Sequence, residues 1–280
     1  LPNRHWREAA GRQMLWLVQD PGEIAMKRVA GVILAASLLG GPSAIAQTPT
    51  AVAAAIGAPD RPAEDVARDA ARHTAELLAF SGVKPGDRIA DFVPGKGFFT
   101  RLFSHIAGKQ GHVYAIVPAE LAKVKPPLEA AIKALAAQPG YANVTAVVEP
   151  TAQTGAAAVA QGGALDLVWT DDNYHDVYGF FGPAAAAAAD SAIFRALKPG
   201  GTFVVIDHVA LGGASGTAPT TLHRIDPDTV KSQVEAAGFV LDASSDVLRN
   251  PADPHTAKVF DPSIKGHTDQ FAFRFRKPAH

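Results

Sequence analysis

Three short stretches of this sequence carry polar residues that an apolar strand does not require. The first, "ADFVPGKGFFT" (residues 90–100), runs from a strand-like segment into an acid, Asp91, and then through Gly95 and Gly97 into a helix-like run. Residues without Cβ let a backbone approach a ligand closely, so this is the pattern of a cofactor cradle. The second, "DDNYHDVYGFF" (171–181), sets Asp171, Asp172, Asn173, Tyr174, His175 and Asp176 after another apolar segment. The third starts at Asp207 and His208, closing "TFVVIDH", and resumes a loop later at His223 and Arg224 in "LHRID". Histidine changes charge near neutrality, which makes His175 and His208 candidate proton acceptors. Asn173, Tyr174, His223 and Arg224 are candidates to line a substrate pocket. Each has a plainer alternative: Asp91 capping the backbone that follows, Asp171 ending its strand, Tyr174 filling the core, Arg224 pairing with Asp226. Asp207, His208 and His223 have no metal-ligand spacing, so they read as separate pocket residues and no metal centre is expected.

The elements that must position these residues alternate. Strand-like segments at 88–92, 112–117, 143–148, 165–170 and 202–208 are separated by helical patterns over about 63–80, 98–108, 119–137 and 183–197. Alternation of this kind builds βαβ units and a parallel sheet covered on both faces. Pro183 to Leu197 is alanine-rich, with Pro at its start and "KPGG" after its end, which reads as a helix rather than low complexity. Toward the C-terminus, Asp226 and Pro227 open a further helix, "FVLDAS" (239–244) is a strand, and "FAFRFR" (271–276) alternates Phe inward with Ala and Arg outward as an antiparallel strand. Residues 249–268 show no period; Arg249, Asn250 and Asp261 are read there as holding the loop's shape. In such a sheet ligands bind beyond the C-terminal strand ends, where all three polar stretches lie.

Composition narrows the function. The 280 residues contain no cysteine and carry a formal net charge of −1. Disulfides and thiolate chemistry are thereby excluded, and no charge footprint suggests nucleic acid. From Met26, "MKRVAGVILAASLLGGPSAIAQ" has a positive start, a short apolar run and an A-x-A site at Ala44–Ala46, the order of a secretory signal. We therefore expect residues 1–25 to be an extension outside the fold, 26–46 a signal segment, 47–62 a flexible leader and 63–280 the folded domain. The protein is then exported, periplasmic or secreted after cleavage near Ala46, with no membrane span left after cleavage; its oligomeric state is open.

"KPGDRIADFVPGKGFFTRLF", "LDLVWTDDNYHD" and "IFRALKPGGTFVVIDH" resemble, in this order, the class I S-adenosylmethionine-dependent methyltransferases. "NYHD", "HRID", "LRNPAD" and "VFDPSIKG" resemble more narrowly an exported bacterial group of predicted methyltransferases. The resemblance spans about Ala63 to Pro278. It implies an α/β fold: a doubly wound, mostly parallel seven-stranded sheet with a C-terminal antiparallel hairpin. It also implies that Asp91, Gly95, Gly97 and Asp171 hold S-adenosylmethionine, and that a small-molecule acceptor is methylated outside the cytoplasm. Two positions depart from the pattern. Val93 stands where a glycine is usual, so its backbone must avoid positive φ or be strained. Val117 stands where an acid usually meets the ribose, with Glu120 and Glu149 as nearby substitutes. A dinucleotide loop, G-x-G-x-x-G, fits less well because Thr100 occupies its third glycine position. The alternative function is a non-catalytic small-ligand-binding domain on the same fold.

Overall fold

The computed structural model describes residues 49–279. The upstream extension and the signal segment fall outside the described residues. Seven strands, β1 (Arg88–Phe92), β2 (His112–Pro118), β3 (Val144–Glu149), β4 (Leu165–Asp171), β5 (Leu197–His208), β6 (Val240–Ser245) and β7 (Gln270–Arg276), form one sheet in the order β3-β2-β1-β4-β5-β7-β6. The first five are parallel, and β7 runs antiparallel to both its neighbours. The expected fold class is therefore present. "KPGG" at 198–201 is absorbed into the start of β5, where the register shifts between Leu165↔Leu197 and Leu167↔Thr202.

The helices are α1 (Thr50–Ile56), α2 (Ala63–Val66), α3 (Thr74–Ser81), α4 (Phe98–Ala107), α5 (Ala119–Val124), α6 (Pro126–Ala136), α7 (Ala156–Gly162), α8 (Tyr174–Phe180), α9 (Pro183–Ala196), α10 (Ala218–Thr221) and α11 (Pro227–Ala236). Strand alternation sends Ile89, Val113, Leu167, Trp169, Val204 and Ile206 to one face. Ala90, Tyr114, Ile116, Val168, Phe203 and Val205 go to the other. Both faces are buried, as a parallel sheet requires. On the first, the apolar stripe of α4 seats Phe99 and Phe103 against Trp169, with ring centroids 4.6 and 5.4 Å away. Burying each such aromatic is worth about 2–3 kcal/mol before ordering costs.

Three expectations change. Part of the expected leader is α1, whose Val52 and Ala55, three residues apart on one helical face, are buried in the cluster around α4. The expected 63–80 helix is split into α2 and α3 by a turn that ends at His73, in the left-handed region with φ 47°. Ala272 of β7 is buried, not outward, because the α4 side of the sheet also covers that strand; Arg274 and Arg276 do face outward and pair with Asp242. Among the described residues no helix is long and apolar enough to cross a membrane.

Candidate functional site

Backbone strain marks the C-terminal edge of the sheet. Of the five described non-glycine residues with positive φ, Val93 (60°), Asp172 (58°) and His223 (56°) follow β1, β4 and β5. A β-branched residue in this region is an outlier, and strain of about 1–3 kcal/mol persists only where its surroundings enforce it. Val93 thus takes the glycine-like conformation and bears the strain. It is held by its N–H on the Ile116 carbonyl (2.9 Å) and by its carbonyl, which accepts from the Asn173 side chain (3.1 Å).

The two loop glycines share a left-handed backbone but differ in their surroundings. Gly97 has a φ of 87°, which favours glycine, and a Cβ there would also sit 2.5 Å from Leu135 Cδ1 of α6. A Cβ on Gly95 would meet nothing within 4 Å, and its φ of 56° favours glycine. Gly95 is therefore the open point of the cradle. Asp91 is buried and accepts the Thr100 hydroxyl at 2.6 Å, and burial pushes its carboxyl up to about 7. It caps the start of α4 and is poised between charge states at neutral pH.

Arg72, from the turn before α3, reaches across the edge to Asp171 (3.1 Å) and Asp172 (3.3 Å) while stacking on Phe98. Burial and the Asp172 charge push Asp171 up to about 8. Burial also works against Asp172, but His208 and Arg72 outweigh it and hold that carboxyl low. The pair therefore carries one negative charge, answered by Arg72. Asn173 donates to the carbonyls of Val93 and Asp171, bracing the β1 and β4 loops together. Tyr174 is a core residue: it is buried, and its hydroxyl lies 2.7 Å from Asp190 and 3.0 Å from Gln233 on α11. It is not positioned to meet a substrate.

The two candidate bases differ. His175 is buried with Nδ1 2.6 Å from Asp207 and Nε2 3.2 Å from Asp176. Burial opposes its charge, yet the two carboxylates raise it well above the ordinary histidine value. Both ring nitrogens are thus turned to neighbouring protein groups, Nδ1 to Asp207 and Nε2 to Asp176 and His223, and neither faces an acceptor as a base would. Burial lowers His208 below the ordinary histidine value, against the pull of the Asp172 and Asp207 charges. Its Nδ1 lies 2.9 Å from Thr268 Oγ1 and its Nε2 3.4 Å from Asp172.

Arg224 is fully buried and binds Asp253 through two nitrogens at 2.8 and 3.1 Å, together with the Val209 and Ala257 carbonyls. Its carboxylate partner in this pair is Asp253, while Asp226 accepts from the Asp228 and Gly213 N–H groups. Asp253 also accepts the Asp269 N–H, and Asp269 in turn binds Arg249, Asn250 and His255. This buried chain of ion pairs shapes the long 249–268 loop, as expected for Arg249 and Asn250. It also fixes the strained His223, whose ring meets Phe260 at 5.0 Å. Arg224 thus positions the site. Its side chain is fully buried, and four of its five N–H donors are engaged within the protein.

Sequence reasoning missed Asp176 as a partner of His223. His175 Nε2, Asp176 Oδ1 and His223 Nδ1 lie together, all three residues buried, although His223 is far along the chain. It also missed Arg72, which only the break between α2 and α3 brings to the edge.

No protein-family model matches the chain, and no curated protein matches it significantly, but solved structures do. The cyclase SpnF matches with TM-score 0.54 and 19% identity, over 75% of this chain and 82% of that one. A proposed sarcosine dimethylglycine methyltransferase from Galdieria sulphuraria matches with TM-score 0.53 and 15% identity, over 77% and 88%. A proposed methyltransferase in complex with the Haloferax volcanii Trm112 activator gives 0.51 and 14%, over 82% and 98%. The fold is that of the class I S-adenosylmethionine-dependent methyltransferases. A cyclase among these neighbours shows that the fold alone does not dictate methyl transfer.

Proposed function

We propose that the chain is an S-adenosylmethionine-dependent methyltransferase acting on a small-molecule acceptor outside the cytoplasm. The observation that carries this reading is the edge itself: an open Gly95, the poised Asp91 and a His208 lowered by burial, gathered at the β1, β4 and β5 ends of this fold. We assign the methionine half of the cofactor to this loop, with Asp91, Gly95, Gly97 and Asp171 as its residues. The ribose half finds no free acid. Val117 is buried, Glu120 accepts from Thr151, and Glu149 accepts from the Gly155 and Ala157 N–H groups. When bound, the cofactor supplies an electrophilic methyl group.

The chain's own part is to orient the acceptor and take its proton. In the tautomer whose Nδ1–H donates to Thr268, His208 offers the Nε2 lone pair, and Asp172 beside it stabilises the imidazolium that forms. Isothermal titration with S-adenosylmethionine and S-adenosylhomocysteine tests the reading. Heat of binding is expected for both; none for either ends it. The second reading, a non-catalytic ligand-binding domain, is favoured by the missing ribose acid and by Arg72 occupying both edge carboxylates. Mass spectrometry of the protein from its native host separates the two by what co-purifies.

A further inference from the structure

The cluster of His175, Asp176 and His223 has a shape that a proton does not require. Its three donor atoms form a nearly equilateral triangle: 3.2 Å from His175 Nε2 to Asp176 Oδ1, 3.2 Å from His223 Nδ1 to the same oxygen, and 3.3 Å between the nitrogens. A tetrahedral zinc ion with bonds of about 2.0–2.1 Å separates its ligands by about 3.3–3.4 Å, the bond length times the tetrahedral edge factor. The triangle is thus one face of such a coordination shell.

The surroundings point the same way. Asp207 accepts from His175 Nδ1 at 2.6 Å and from the His175 N–H at 2.7 Å, which turns Nε2 toward the triangle. A carboxylate behind a ligating imidazole is the usual support of a metal-bound histidine. The second oxygen of Asp176, Oδ2, is buried without a hydrogen-bond partner, an unmet acceptor at the cluster. His223 is held in a left-handed backbone conformation by the Arg224–Asp253 pair that follows it, and Phe180 and Phe260 flank its ring at 6.0 and 5.0 Å. Strain and burial have been accepted here to bring two imidazoles and one carboxylate to a single point.

We infer that His175 Nε2, His223 Nδ1 and Asp176 bind a divalent transition-metal ion of the zinc class, with Asp207 as the positioning carboxylate. Two imidazoles and a carboxylate suit zinc, and equally iron(II) or cobalt(II) in the same geometry. Three protein ligands leave a fourth position for water or an oxygen donor on the acceptor. The site is independent of the cofactor reading, since a metal ion is retained whether or not S-adenosylmethionine binds.

The test uses the full chain without a polyhistidine tag, stripped with chelator and then titrated with Zn(II) and Co(II). One ion per chain is expected, with a Co(II) visible spectrum of four-coordinate type. Asp176→Asn and His223→Gln are expected to weaken binding at least about a hundredfold, and Asp207→Asn about ten- to a hundredfold. His267→Gln, at an exposed histidine outside the cluster, keeps wild-type affinity. Zn(II) at a hundredfold excess over Kd should raise the wild-type Tm by roughly 5–10 °C. If the variants fail to fold, X-ray absorption at the zinc edge of the wild-type protein decides: two imidazoles in the first shell support the site, and fewer overturn it. Substoichiometric binding, or affinity unchanged in Asp176→Asn and His223→Gln, means that the cluster is only a histidine–carboxylate charge network and overturns the inference.

Discussion

Replacing Asp91 by asparagine removes one proton-binding group from the core, and its consequence is a change in how stability varies with pH. Burial pushes this carboxyl from its ordinary value up to about 7, so the folded chain keeps a proton that the unfolded chain releases between about pH 4 and 7. A folded-state value above the unfolded one means that the contribution is complete below about pH 4 and is lost as pH rises through 7. A shift of about three units at 1.36 kcal/mol each makes the loss about 4 kcal/mol. In Asp91→Asn the carboxamide oxygen still accepts the Thr100 hydroxyl, and no proton is released. Urea unfolding of both proteins at half-unit steps from pH 4 to 8 measures the difference. Wild type should lose about 4 kcal/mol relative to Asp91→Asn, with the steepest change between pH 4 and 7 and a plateau above. Asp190, also pushed up to about 7, titrates in both proteins and cancels in the subtraction. Parallel stability curves would refute the argument that burial holds Asp91 protonated. A cationic ligand at the cradle rewards the ionised form, so S-adenosylmethionine should bind with proton release near neutral pH, seen as a buffer-dependent heat.

Further consequences follow from the same contacts. Arg224→Leu strips Asp253 of its buried partner and should cost about 3–5 kcal/mol in chemical denaturation; a cost below 1 kcal/mol would show that the network does not hold the loop. Val93→Gly relieves a left-handed valine while losing its buried side chain, so its cost should stay within about 1 kcal/mol. Val168→Gly, in a regular strand, should cost more than about 3 kcal/mol, and equal losses would mean that Val93 is unstrained. His208→Gln should leave cofactor binding unchanged by titration calorimetry and reduce methyl transfer to an accepted substrate at least a hundredfold, since the amide has no proton-accepting nitrogen.

Much of the fold was legible because periodicity is a local property. The apolar segments at 88–92, 112–117, 165–170 and 202–208 became strands, and the alanine run after Pro183 became α9, since helix propensity and capping act within a few residues. The polar residues beyond the strand ends were legible as a site for the same reason: an apolar strand leaves them unexplained. Roles were a different matter. Asp91, Arg224 and Tyr174 carry side chains fit for binding, yet their partners Thr100, Asp253 and Asp190 are what occupy them.

The sequence by itself determined the order of the strands, the glycine positions in the loop and the polar character of the sheet edge. Only the tertiary structure decided that Gly97 lies against Leu135 while Gly95 faces open space, and that Val93 bears the strain of the missing glycine. It alone shifted His175 upward and His208 downward, because a histidine's proton affinity depends on burial and on which carboxylates lie within a few ångströms. It alone brought His223 to His175 and Asp176, since the 249–268 loop and its buried ion pairs set that distance and nothing in the spacing along the chain encodes it.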